Sequence, residues 1–212
     1  MVFWLAAMAL LLMGMLTAPG VTLGLLAGFV YSSRFEHWVH AGPMHHKSGG
    51  IAYERHVRDH HANRRAPVRY LAEKREQYRI GESAVPLIWL GHMIAIAGLW
   101  LITRQTSFWV SFTLIATVYF VLYEFLHHEM HQPHERWYHR TDLFQFLSEL
   151  HRLHHYKAKE NFNLVCPLWD WILGTLSTEE LKPEASAPVG TPQPTGPRSV
   201  FSWFPEFAPK KS

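Results

Sequence analysis

The chain has 212 residues, a length suited to one domain, and is 48% hydrophobic, 14% aromatic and only 17% charged, with a formal net charge of +3. Soluble domains carry roughly 25% charged residues, and the deficit here is regional: Met1–Ser33 and Val85–Ile102 hold no Asp, Glu, Lys or Arg. A disordered, collagen-like or disulfide-stapled protein is excluded. The single cysteine, Cys166, supports neither an internal disulfide nor a Cys-based metal site. The other outlier is histidine, with 16 copies.

At the start of the chain, Pro19-Gly20 separates the apolar run Val2–Ala18 from a second one, Val21 to about Tyr31. The run lacks a positively charged start and is too long for a signal-peptide core. It reads as one kinked span or as a hairpin whose outgoing helix continues past Tyr31 to His40, and the hairpin is the preferred reading. Lys47–Arg79 follows, with nine Lys/Arg against four Asp/Glu. Ala84–Ile102 and Phe108–Leu126 each make roughly 27–29 Å of helix, enough for a hydrocarbon core of about 30 Å. Only Thr103–Ser107 separates them, so residues 84–126 should form an antiparallel membrane hairpin. The cationic excess before it places that connection, and everything after Leu126, on the cytoplasmic side of a bacterial inner membrane or endoplasmic reticulum. Residues 182–212, rich in Pro, should be a disordered tail. The expected architecture is all-α: about four membrane-inserted helices carrying a cytoplasmic helical cap, divided into a membrane segment 1–33, a histidine-rich domain 34–181 and the tail.

His92 alone falls in mid-span, where a lone polar residue is more often a helix-packing contact than a ligand. His139 stands apart and reads as a surface residue. The others form four clusters: His37/His40/His45/His46, His56/His60/His61, His127/His128/His131/His134 and His151/His154/His155. His127 and His131 lie one α-helical turn apart where a span ends. His151, His154 and His155 share one helix face, and His56 and His60 are one turn apart with His61 beside them. His40 and His45 would diverge on a straight helix, but Gly42-Pro43 should break it and let both rings turn inward. Neutral imidazole is the commonest transition-metal ligand, and nitrogen-rich sites suit iron, zinc, copper or nickel. One such cluster could be a solvated helix face; four on one side of a membrane point to metal. Ten imidazoles exceed one ion's needs and suffice for two, about five each.

These boxes resemble the fatty acid hydroxylase superfamily, which includes sterol desaturase-type enzymes and lipid 2-hydroxylases, over roughly Phe35 to Thr175. Glu36, His40 and His45 in EHWVHAGPMH resemble its Glu-x3-His-x4-His box, and His56, His60 and His61 in HVRDHH its His-x2,3-His-His box. YEFLHHEMH, with His127 and His131, is similar to the His-x3-His box. HRLHH, with His151, His154 and His155, precedes NFNLVCPLWDWILGT, which is similar to the family's Asn-Phe-Gly…Leu-Trp-Asp…Gly-Thr signature. Two features depart from the pattern. Asn163 stands where glycine is usual, and the Gly42-Pro43 insert leaves His37 as an alternative ligand to His40 or His45.

The resemblance implies a membrane-bound non-haem di-iron oxygenase that uses O2 and two electrons to hydroxylate a C–H bond of a lipid, a fatty acyl chain first. Desaturation, or sterol or carotenoid hydroxylation, is the alternative within the superfamily. A non-catalytic metal-binding membrane protein is the alternative from another class, and zinc could occupy the same rings. Glu36, Asp59, Glu124 and Glu129 lie beside the boxes and are expected to hold imidazole N–H groups from behind rather than bind metal. Trp169, Trp171 and Leu173 suggest a short interfacial helix closing the site, with Trp169 and Asp170 as candidates for substrate contact or, equally, an aromatic anchor with a capping aspartate. With no fused haem-binding redox domain in the sequence, the electrons would come from a separate donor protein. Arg64–Arg79 could dock that donor or anionic headgroups, although a solvated loop is the simpler reading. No nucleic-acid partner is expected.

Overall fold

The computed structural model describes residues 18–64, 69–77 and 85–178. Most of the first apolar run and the whole 182–212 tail lie outside them. Among the described residues there are helices and turns but no strand. The longer helices are α1 (Ala18–Val39), α2 (Val85–Thr103), α3 (Thr106–Met130), α4 (Asp142–Tyr156) and the short α5 (Leu168–Leu173). Thr106–Met130 is the one described helix long and apolar enough to cross a membrane, with Trp89–Thr103 a shorter apolar helix. The second apolar stretch does run on past Tyr31, as one helix from Ala18 to Val39.

α1 and α3 are packed against each other at unusually short range. A Cβ on Gly24 would lie 2.3 Å from the Phe108 carbonyl oxygen, and one on Gly28 would lie 2.4 Å from Ile115 Cγ2. With Ser32, these residues form a small-residue stripe at four-residue spacing, the pattern that lets helix backbones approach closely. α2 is tied to α3 at their connection, where Trp109 Nε1 donates to Thr103 Oγ1 at 2.6 Å. His92 of α2 hydrogen-bonds Tyr31 of α1 and packs on Phe35, with ring centroids 4.1 Å apart. It is a helix-packing residue.

Above this layer the chain is bent rather than straight. Gly42 and Pro43 fall in a π-helical turn, His40–Met44, and a second π-helix covers Glu54–His61. Thr141 caps α4, its hydroxyl accepting from the Phe144 amide, and Gly174 ends α5 in the left-handed region at φ 72°. Met130, Leu147, Phe144 and Leu164 pack with Tyr123 into a core that joins the end of α3 to α4 and the 161–165 loop.

Substituting Gly28→Val should force α1 and α3 apart. Overpacking of this kind costs about 1–3 kcal/mol, so thermal unfolding in detergent should begin several degrees lower, whereas Gly91→Ala, with open space at its Cβ, should leave it unchanged.

Candidate metal centre

Ten histidine side chains converge in two groups of five. The first holds His40, His45, His56, His61 and His154; the second holds His60, His127, His131, His151 and His155; in each, the ligand nitrogens all lie within 4.8 Å of one another. These are the ten histidines singled out by the boxes, but helical spacing assigns them to groups imperfectly. His127/His131 and His151/His155 stay together at i, i+4 as expected. His56, however, joins His61 rather than His60, in a π-helical segment whose wider winding brings residues five apart closer to one face than an α-helix would. His154 likewise leaves its helix neighbours for the first group. The His37 alternative is also decided: its Nε2–H donates to Thr175 Oγ1 at 3.1 Å, outside both groups.

Within each group the Nε2 atoms face one another. His40, His56, His61, His154 and His45 form a run with successive separations of 2.9, 3.2, 3.2 and 3.1 Å. In the second group the run is His127, His60, His155, His151 and His131, at 3.0, 3.1, 3.2 and 3.1 Å. Nitrogens at right angles around an ion, each about 2.0–2.1 Å from it, would be separated by about 3.0 Å.

Backbone carbonyls decide what these nitrogens present. His40 Nδ1 donates to the Phe162 carbonyl, and His154 Nδ1 donates to the Glu160 carbonyl at 2.7 Å. A carbonyl only accepts, so both rings carry their proton on Nδ1 and present a bare lone pair at Nε2. Along the run, a chain of hydrogen bonds would require donors and lone pairs to alternate. Three steps separate His40 from His154, so alternation would make one of them a donor, yet both are lone pairs. No arrangement of protons on neutral rings makes all four contacts hydrogen bonds, whereas a central cation would accept all five nitrogens together. In the second group, His131 Nδ1 donates to the Tyr70 carbonyl at 3.0 Å, while His151 Nδ1 and His155 Nδ1 are buried without a hydrogen-bond partner.

Protonation does not offer an escape. Burial, reinforced by neighbouring rings, holds the His45 imidazole down to about 4 and that of His61 to about 2. Burial likewise keeps His40, His56, His60, His131, His151, His154 and His155 well below the ordinary histidine range. The rings are neutral at pH 7, the form that binds metal.

The acids beside the boxes take other places. Glu36 is buried and receives the Tyr119 hydroxyl, Asn163 Nδ2 at 3.0 Å and the Leu164 amide. Glu129 is buried and receives His139 Nε2–H at 3.0 Å, the Tyr138 hydroxyl at 2.8 Å and Arg75. His139 is therefore not a surface residue: it is 1% exposed, because the Glu129 carboxylate below it gives its N–H a partner in the interior. Asp59 is exposed and Glu124 is half-buried. What stands behind His40, His131 and His154 is main-chain carbonyl, which no side-chain motif reveals.

Asp170 is fully buried and accepts the Phe162 amide at 2.9 Å, the Asn163 amide at 2.7 Å and the Thr175 hydroxyl at 2.6 Å. It caps the loop that supplies the Phe162 carbonyl. Trp169 Nε1 donates to the Val30 carbonyl of α1 at 3.2 Å. Asn163, at the position where glycine is usual in the pattern, links the two buried carboxylates: its Nδ2 donates to Glu36 and its Oδ1 accepts the Asp170 amide at 3.3 Å.

An apolar cleft, partly open to its surroundings, lies beneath the first group, between α1, α2 and α3. Phe35, Val39, Met44, Trp89, Met93 and Tyr123 are among its lining residues. It approaches the metal ligands closely: Val39 precedes His40, Met44 precedes His45, and the Tyr123 ring lies 5.7 Å from that of His127. Neither Trp169 nor Asp170 lines it.

Two clusters of buried, neutral imidazoles on a helical scaffold are suited to holding metal. The sequence model of the family described as fatty acid hydroxylase matches residues 25–175, and the chain belongs to that family. Its function class is thereby an oxidoreductase of the lipid hydroxylase and desaturase type. No curated protein and no solved structure matches the chain.

Because folding lowers these histidine pKa values, the unfolded chain binds more protons below about pH 6.5. Stability from the centre should be complete above that pH and decline as pH falls, from 6.5 towards 4 for His45 and further still for His61. Unfolding temperature and bound metal, measured together from pH 8 to pH 4.5, should fall in parallel and more steeply than a single proton allows.

Proposed function

We propose that the chain is an integral membrane non-haem di-iron oxygenase that uses O2 and two electrons to hydroxylate a C–H bond of a lipid, most directly a fatty acyl chain. The observation that carries this reading is the pair of five-imidazole groups, in each of which the ligand nitrogens lie within 4.8 Å of one another. Right-angle spacing of five nitrogens favours an ion that accepts five or six ligands over tetrahedral zinc, which takes four. When bound, two iron ions would supply the activation of O2 and the oxidation of the C–H bond.

The chain's own residues supply holding, orientation and exclusion of water. The carbonyls of Phe162, Glu160 and Tyr70 fix three rings in the metal-binding tautomer. The apolar cleft admits a hydrocarbon chain and keeps water from it, with Val39, Met44 and Tyr123 guiding the chain towards the ligands. Leu23, Leu26, Ile94, Ile102 and Val121 are all more than half exposed, which suits side chains facing lipid. In that setting substrate passes laterally from the bilayer to the site, α1–α3 are membrane-inserted, and the histidine centre faces the cytoplasm with a separate protein delivering electrons. Residues 34–181 would form the catalytic domain.

Protein purified anaerobically should contain two irons per chain, and His155→Ala should hold one or none. Membranes expressing the wild type should accumulate a hydroxylated lipid, seen by mass spectrometry as a gain of one oxygen, that the variant does not make. Fewer than one metal per chain in the wild type would overturn the reading, and a loss of two hydrogens in place of a gain of oxygen would make the enzyme a desaturase.

A further inference from the structure

Resting on that reading, we propose that the two metal positions are unequal, and that Asp170 makes the first group (His40, His45, His56, His61, His154) the tighter one by acting on His40 through a single peptide bond. The Phe162 carbonyl and the Asn163 N–H belong to the same amide. Asp170 Oδ2 accepts that N–H at 2.7 Å, and the carbonyl at the other end accepts His40 Nδ1–H. The order is carboxylate, amide, imidazole, metal position. A negative charge on the N–H side of an amide polarises it and makes its oxygen a stronger acceptor. A stronger acceptor draws the Nδ1 proton away from the ring and increases electron density at Nε2, as a carboxylate does when bonded directly to a metal-bound histidine.

The surroundings of Asp170 are arranged for this purpose. It is 0% exposed, so water does not screen its charge. Its three hydrogen-bond partners are all donors, as an acceptor-only carboxylate requires. Thr175 turns its hydroxyl proton to Asp170 because its oxygen accepts His37 Nε2–H. His37 thus belongs to this network although it is no ligand. In the second group His131 Nδ1–H meets the Tyr70 carbonyl, but among the described residues no carboxylate accepts the N–H of that amide. His151 and His155 Nδ1 have no partner. The other carbonyl behind the first group, that of Glu160, belongs to an amide whose N–H donates to the neutral Thr175 carbonyl at 2.9 Å. Asp170 is in this sense a positioning and tuning residue, distant from substrate.

The test is a stepwise anaerobic titration of the full-length, detergent-solubilised apoprotein with Co2+ against a competing chelator, read by calorimetry and by the cobalt absorption bands. Wild type should bind two ions in two steps. His127→Ala, which disables the second group, should retain the tighter step, and His61→Ala, which disables the first, should retain the weaker one. Asp170→Asn should weaken the tighter step by about 10–100-fold, shift its absorption band and leave the weaker step unchanged. Equal affinities in His61→Ala and His127→Ala would overturn the proposal even if Asp170→Asn did not fold. So would an Asp170→Asn protein that lost both steps equally, which would mark Asp170 as scaffold alone. Binding of fewer than two ions by the wild type would instead count against the di-metal reading itself.

Discussion

Ten imidazole nitrogens gathered inside a folded chain repel one another unless something positive lies between them. In the first group, the proton positions imposed by the Phe162 and Glu160 carbonyls leave no pattern in which every ring-to-ring contact is a hydrogen bond, and burial prevents protonation from relieving the conflict. Buried polar groups without partners are expensive. The fold therefore makes sense as the folded half of a metal complex, in which binding free energy and folding free energy are largely the same quantity. The bends at His40–Met44 and Glu54–His61, the turn at Tyr70 and the loop at 161–165 all bring rings or carbonyls to this one place.

Two buried carboxylates organise the approach from the side of α1. Glu36, near the end of that helix, holds the amide of Leu164, and Asp170 holds those of Phe162 and Asn163. The loop between them is thus fixed by hydrogen bonds from its N–H groups to these two acids, leaving its carbonyl free to orient His40. Asn163 joins the two carboxylates and also reaches the Ser33 carbonyl at 2.9 Å. The position of the metal ligands is in this way coupled to the packing of α1 on α3, which in turn depends on the absence of side chains at Gly24 and Gly28. A change at the helix stripe and a change at the loop act on the same geometry.

The cleft beneath the first group gives this rigidity a chemical use. Its walls come from helices whose outward faces are also apolar, so a hydrocarbon chain meets the same kind of surface outside and within. The reach of the cleft is set by Phe35 and Met93 and, towards the histidines, by Val39, Met44 and Tyr123, a matter of shape rather than of hydrogen bonding.

Much of this protein was legible in its sequence because the relevant signals are local. The number of histidines, their short spacings, the charge-free stretches and the NFNLVCPLWDWILGT signature identify an all-helical, histidine-ligated lipid oxidoreductase, and they single out the same ten rings that the fold brings together. What the sequence could not assign is anything that depends on contacts between distant segments or on a helix departing from 3.6 residues per turn. It set His56 and His60 one turn apart with His61 beside them, whereas the fold gathers His56 with His61 and sends His60 to the other group. It placed His139 on the surface, whereas Glu129 gives it a buried partner. It expected carboxylates behind the ligands, whereas main-chain oxygens stand behind His40, His131 and His154, and every residue has one of those. Side-chain type and spacing determined which atoms could bind metal; only the tertiary structure decided which lone pairs face one another, because that follows from which carbonyl each Nδ1 meets across the fold.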